Sequence, residues 1–168
     1  MAEDGRDHAA AKHALAIEVL RSHGLLRIKA FGTSMIPTIW PGDVLTITAV
    51  DSENLQAGDV VMLSHRGMFV VHRLSGIRRM SGHAYLDTRG DSVPHSDPLM
   101  TEAQLLGKVL WVERDGRRFA PARRPSVGSR VLGRLVSRST LLLGLVLHLR
   151  SLVSVAGPGV LDIRENQA

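Results

Sequence analysis

Hydrophobic positions recur with a helical period at the start of the chain and with a period of two through its middle. Ala11, Ala14, Leu15, Val19 and Leu20 fall near one face of an amphipathic helix predicted over 7–23. Asp7 is suited to cap its start, and Gly24 to end it in the left-handed conformation. From Leu25 the pattern changes. Leu26, Ile28 and Ala30 alternate with Arg27, Lys29 and Phe31, as in a half-buried strand. Further strands are predicted at 44–50, 60–64, 68–75, 83–88, 108–113 and 117–120, from β-branched or alternating runs bounded by turn residues. Pro41-Gly42-Asp43, Gly58-Asp59, Arg66-Gly67, Ser81-Gly82 and Asp115-Gly116 supply the turns, the last inside a hairpin. Residues 90–98 form a loop, and Thr101 with Gln104 matches a capping box over one short helical turn.

About seven short strands with frequent turns imply a mainly β domain. Its predicted limits are 25–121, after an N-terminal helix over 1–24. Residues 122–168 read as an Arg-rich linker followed by an apolar helical tail. The chain shows no internal repeats.

Composition narrows the choice of function. At 168 residues and 44% hydrophobic, the chain can bury a sizeable core. Aromatics are only 4%, which argues against a base-stacking nucleic-acid platform. There is no cysteine, so disulfides, thiolate metal sites and cysteine nucleophiles are excluded. The eight histidines show no paired ligand spacing, and neither a metal nor another cofactor is expected. Net charge is +5, and residues 116–150 hold eight arginines with no Asp or Glu. Such a block fits an anionic partner. No base-reading motif accompanies it, which disfavours nucleic acid.

Three stretches carry candidate chemistry. Gly32-Thr33-Ser34-Met35-Ile36-Pro37-Thr38 leaves a strand with a glycine before and a proline after the serine. A nucleophilic serine needs a rigid bend that exposes its hydroxyl and frees its backbone N–H for an oxyanion. Val70-Val71-His72-Arg73 puts a histidine in a strand among apolar residues. Thr88-Arg89-Gly90-Asp91 leads to Ser96-Asp97-Pro98. Taken singly, each has a plain structural reading: a capping serine, a packed core histidine, and aspartates in turn chemistry.

As an ordered set the three resemble the type I signal peptidase family. That family carries a Ser-Met-x-Pro-Thr box, a Gly-Asp with a hydrophobic run, a strand bearing the general base, and a Gly-Asp loop. All four stand in order between Gly32 and Pro98, and the resemblance covers roughly 25–115. It implies a signal-peptidase-like β fold and a serine endopeptidase acting on a peptide or precursor protein. The Val-Val-His-Arg context resembles the histidine subtype, since no lysine lies between Lys29 and Lys108. The resemblance then implies Ser34 as nucleophile, His72 as general base and Asp97 as the group that orients His72. It gives Asp91, Gly32, Met35 and Pro37 supporting roles. Some relatives add a hydroxyl to the oxyanion site from the residue two before the nucleophile; Gly32 stands there in this chain. A histidine titrates at about 6.5 and needs little tuning to act as a base near neutral pH.

The chain departs from that family at its ends. The first residues are acidic and lack an apolar core, so no signal peptide is expected. The long apolar run, 139–160, is interrupted by His148 and Arg150 and is too short on either side for the roughly 20 residues a spanning helix needs. Arg130, Arg134 and Arg138 recur every four residues and would share one helix face. Membrane-surface binding through these arginines is the preferred reading, with packing on the β domain or a weak span as alternatives. The expected location is cytoplasmic or peripheral to a membrane. Two rival functions remain. A self-cleaving repressor of the Ser-Lys kind lacks a preceding DNA-binding helical domain and a dyad lysine here. A non-catalytic binding module would be marked by loss of Ser34 or His72, and both are present.

Overall fold

A computed structural model of the protein describes residues 2–124. One helix, α1 (Ala2–His23), precedes eight strands: β1 (Leu25–Lys29), β2 (Val44–Thr48), β3 (Val60–His65), β4 (Met68–Met80), β5 (His83–Arg89), β6 (Met100–Thr101), β7 (Leu105–Arg114) and β8 (Arg117–Phe119). They form one antiparallel sheet in the order β1-β2-β7-β3-β4-β5-β6, with β8 paired to β7. The mainly β class is therefore as expected from the alternation.

Local sequence explains the strand ends. Arg66-Gly67, Ser81-Gly82 and Asp115-Gly116 each close a two-residue hairpin with positive φ at both positions. That backbone twist matches the twist of the strands it joins, and glycine at the second position removes the steric cost. At the end of α1, the Gly24 N–H donates to the Leu20 carbonyl at 2.9 Å, closing the helix as its position predicts. The capping box of Thr101 and Gln104 is also formed.

The helix runs from Ala2 rather than from Asp7, and of the face periodicity singled out only Val19 and Leu20 pack against the core. Ala16 and Leu20 are fully buried, while Ala11, Ala14 and Leu15 are exposed. The chosen apolar set spread around the helix, and docking selected the narrower stripe that meets β1. Strand β4 also runs past the predicted end at Ser75. Leu74 pairs Thr88 and Gly76 pairs Asp87, so Ser75 is the extra residue of a bulge, and pairing resumes to Met80. The two-residue β6 and a 3-10 turn at Ser52–Asn54 had no clear periodic signal.

Strand β3 shows how the core is divided. Its first four residues, Val60-Val61-Met62-Leu63, are all buried. Successive side chains leave opposite faces of a strand. Val60 and Met62 join Ala16, Leu20, Leu26, Leu45 and Ile47 under α1, and Val61 and Leu63 join Leu74, Leu86 and Met100 on the other face. Truncating Met62 or Leu63 to alanine would cost about 2–5 kcal/mol, the range for large-to-small changes in a packed core.

Candidate active site

The nucleophile candidate sits just after β1. Met35, Ile36 and Ile39 are buried, and Ile36 N–H and Ile39 N–H donate to the carbonyls of Thr33 and Met35. These apolar anchors hold a tight helical turn and leave Ser34 half-buried at its start. The Ile36–Pro37 peptide is cis. Gly32 behaves differently from the bend-forming role assigned to it: its φ is not positive, and a Cβ there would meet open space. The bend is held by the residues after Ser34, not by the glycine before it.

His72 lies on β4 opposite Val61 of β3. Its Nε2 is 2.9 Å from Ser34 Oγ, and its Nδ1 is 2.6 Å from Asp97 Oδ2. A carboxylate only accepts, so Nδ1 carries the proton and Nε2 presents a lone pair to the Ser34 hydroxyl. Asp97 is fixed in turn by Thr88. The Thr88 hydroxyl donates to Asp97 Oδ2 at 2.7 Å, and the Asp97 N–H donates to the Thr88 carbonyl at 2.9 Å. Thr88 is fully buried; it stood at the head of the sequence motif without an assigned role. A signal was present: Ala84, Leu86 and Thr88 alternate inward along β5, so a polar group there needs a buried partner.

Asp91 takes a different partner. Arg73, next to His72 on β4, donates from Nε to Asp91 Oδ1 at 2.7 Å and from Nη2 to Oδ2 at 2.8 Å. The Thr38 hydroxyl, at the far end of the serine box, also donates to Asp91 and accepts from Arg73 Nη2. Arg73 Nη1 reaches the carbonyls of Gly58 and Ala122. One guanidinium thus ties the serine box, the Gly90–Pro98 loop, the Gly58 turn and the segment after β8. Arg73 stands in the Val-Val-His-Arg motif, which by itself assigns it no role. A second such pair joins the box to β7: Arg114 donates to both oxygens of the buried Asp43 and to the Thr38 carbonyl.

The loop also presses directly on Ser34. A Cβ on Gly90 would stand 2.7 Å from the Ser34 carbonyl oxygen, so only glycine allows this approach. Ser92, also unmarked in the sequence, donates its N–H to the Ser34 carbonyl at 2.9 Å. Lys108 is held elsewhere, with Nζ 3.7 Å from Asp59. Among the described residues no group of His, Asp and Glu is arranged to hold a metal, and no helix is long and apolar enough to cross a membrane. Arg130, Arg134, Arg138 and the 139–160 run lie outside the described residues.

A serine hydroxyl on a histidine, itself on a carboxylate, within an antiparallel β domain defines a serine-peptidase type of scaffold. Residues 3–110 match the family model described as Peptidase S24-like, and the chain belongs to that family, of the signal-peptidase and repressor-type peptidase fold. No curated protein matches the chain.

Proposed function

We propose that this protein is a serine endopeptidase that cleaves a peptide or precursor protein with Ser34 as nucleophile, His72 as general base and Asp97 as the orienting carboxylate. The observation that carries this reading is the continuous chain Ser34 Oγ, His72, Asp97, at 2.9 Å and 2.6 Å. Family membership supports the coarser class, a serine peptidase or a self-cleaving repressor-type fold.

In this mechanism His72 Nε2 takes the Ser34 proton as Oγ bonds to the scissile carbonyl carbon. The carbonyl oxygen becomes an oxyanion and is held by the Ser34 backbone N–H. That N–H makes no hydrogen bond among the described residues. Imidazolium then gives its proton to the leaving amine, and water attacks the acyl-enzyme by the reverse route. Asp97 keeps the tautomer in place and stabilises the imidazolium.

Replacement of Ser34 by alanine tests the reading. Ser34→Ala is expected to abolish hydrolysis of a quenched-fluorescence peptide library and labelling by a fluorophosphonate, with an unchanged melting temperature. Turnover equal to wild type in this variant would sink the assignment. Cleavage of another chain and cleavage of its own chain differ in kinetic order: the first accelerates with protein concentration, and the second does not.

A further inference from the structure

We infer that Ser92 is a positioning residue that sets the oxyanion-binding N–H of Ser34; this rests on the proposed role of Ser34. Two peptide groups flank the nucleophile. One joins Thr33 to Ser34 and carries the N–H assigned to the oxyanion. The other joins Ser34 to Met35. Ser92 holds both. Its N–H donates to the Ser34 carbonyl at 2.9 Å, and its hydroxyl lies 2.9 Å from that carbonyl and 3.1 Å from the Thr33 carbonyl, placed to donate to either. The Thr33 carbonyl also accepts from Ile36 N–H at 3.1 Å.

The consequence is geometric and electronic. An oxyanion donor works only if it already points at the oxygen before reaction, because reorienting it during the reaction costs energy. Rotation of the Thr33–Ser34 peptide would swing its N–H away, and it would also break the contact between the Thr33 carbonyl and Ser92. Hydrogen bonds in a chain polarise one another. When the Ser92 hydroxyl turns its single proton to the Thr33 carbonyl, that oxygen accepts two donors, its amide carries a more positive N–H, and the same contact strengthens the oxyanion donor. Ser92 is itself buried, at 7% exposure, and Gly90 lets its loop approach without a side chain in the way.

Ser92→Ala keeps the backbone donor and removes the hydroxyl. Loss of an oxyanion donor costs about 10²–10³ in kcat, so weakening one should cost roughly tenfold. The measurement is kcat and KM on the library peptide cleaved fastest, with melting temperature in parallel. The expected result is a lowered kcat, an unchanged KM, and an acid limb of the pH–rate profile at the wild-type position, because His72 is not touched. Ser92→Thr, which keeps a hydroxyl, should recover most of kcat. An unchanged kcat in Ser92→Ala, beside Ser34-dependent wild-type turnover, overturns this inference alone. Equal loss in both variants with a matching drop in melting temperature also overturns it, since that marks packing. Absence of Ser34-dependent turnover in the wild type overturns the proposed function and this inference with it.

Discussion

Asp97 and Asp91 leave the same loop and meet neighbouring residues of β4, His72 and Arg73. Both are aspartates within a few residues of a glycine or a proline, and nothing local separates them. Their partners do. Asp97 accepts from an imidazole whose other nitrogen touches a serine, so a change in proton position at Ser34 is felt at Asp97. Asp91 accepts two parallel bonds from a guanidinium, a group that only donates and touches no nucleophile candidate. In the proposed mechanism one carboxylate is linked to chemistry, and the other ties the elements around it together. A carboxylate's role is decided by what it faces, and β4 turns His72 and Arg73 in different directions because successive strand residues alternate.

The sharpest way to break this comparison is to remove the group between Asp97 and Ser34. His72→Ala should lower kcat/KM by several orders of magnitude, to the residual set by binding and the oxyanion donor. Near wild-type turnover in that variant would refute the dyad. Asp97→Asn comes next. An amide N–H donated to Nδ1 would hold His72 in the wrong tautomer, with Nε2–H facing Ser34, and a loss approaching about 10⁴ is the precedent for such a change in a serine triad. The melting temperature should move little, since Thr88 can still bond the side chain. A larger catalytic loss at Asp91 than at Asp97, in folded protein, would reverse the assignment.

Asp91→Ala should show its effect in stability instead. Arg73 and Asp91 have side chains only 12% and 5% exposed. Removing one member of a buried pair costs about 3–5 kcal/mol, because the other charge is left without its partner. Urea unfolding would read this as a fall in midpoint, and kcat of the folded fraction should fall less than in Asp97→Asn. A stability equal to wild type would show that Arg73 is not a clamp.

The smallest effect concerns α1. His13 stacks on Phe69 with ring centroids 4.3 Å apart, and its Nε2 is 3.2 Å from Ser64 Oγ. Burial pushes its pKa down from the ordinary value. The unfolded chain therefore binds more protons than the folded one just below about pH 6.5, and stability falls as the pH drops through that window. The loss levels off below the lowered folded-state value. His13→Gln should flatten this part of the stability–pH curve, measured as urea midpoints between neutral and mildly acidic pH. An identical curve in the variant would remove His13 from the account.

The strands were legible because their causes are local. A period of two and an Xaa-Gly pair act within a few residues, and they set the three hairpins whatever the rest of the chain does. The ordered motifs likewise marked Ser34, His72, Asp91 and Asp97 as candidates through resemblance to a family. Local pattern did less well on α1, where apolar residues were too scattered to name the docked stripe, and at Ser75, where a bulge reads as a strand end. Tertiary structure alone decided which side chains meet. Ser34 and His72 are 38 residues apart in sequence, and Ser92 lies 58 residues from the carbonyl it holds. Contacts over such distances depend on sheet order, with β7 pairing β2 on one edge and β3 on the other. No short-range period encodes them, and so the partners of Arg73, Thr88 and Ser92 became visible only once the sheet had brought the loop, the strand and the serine turn together.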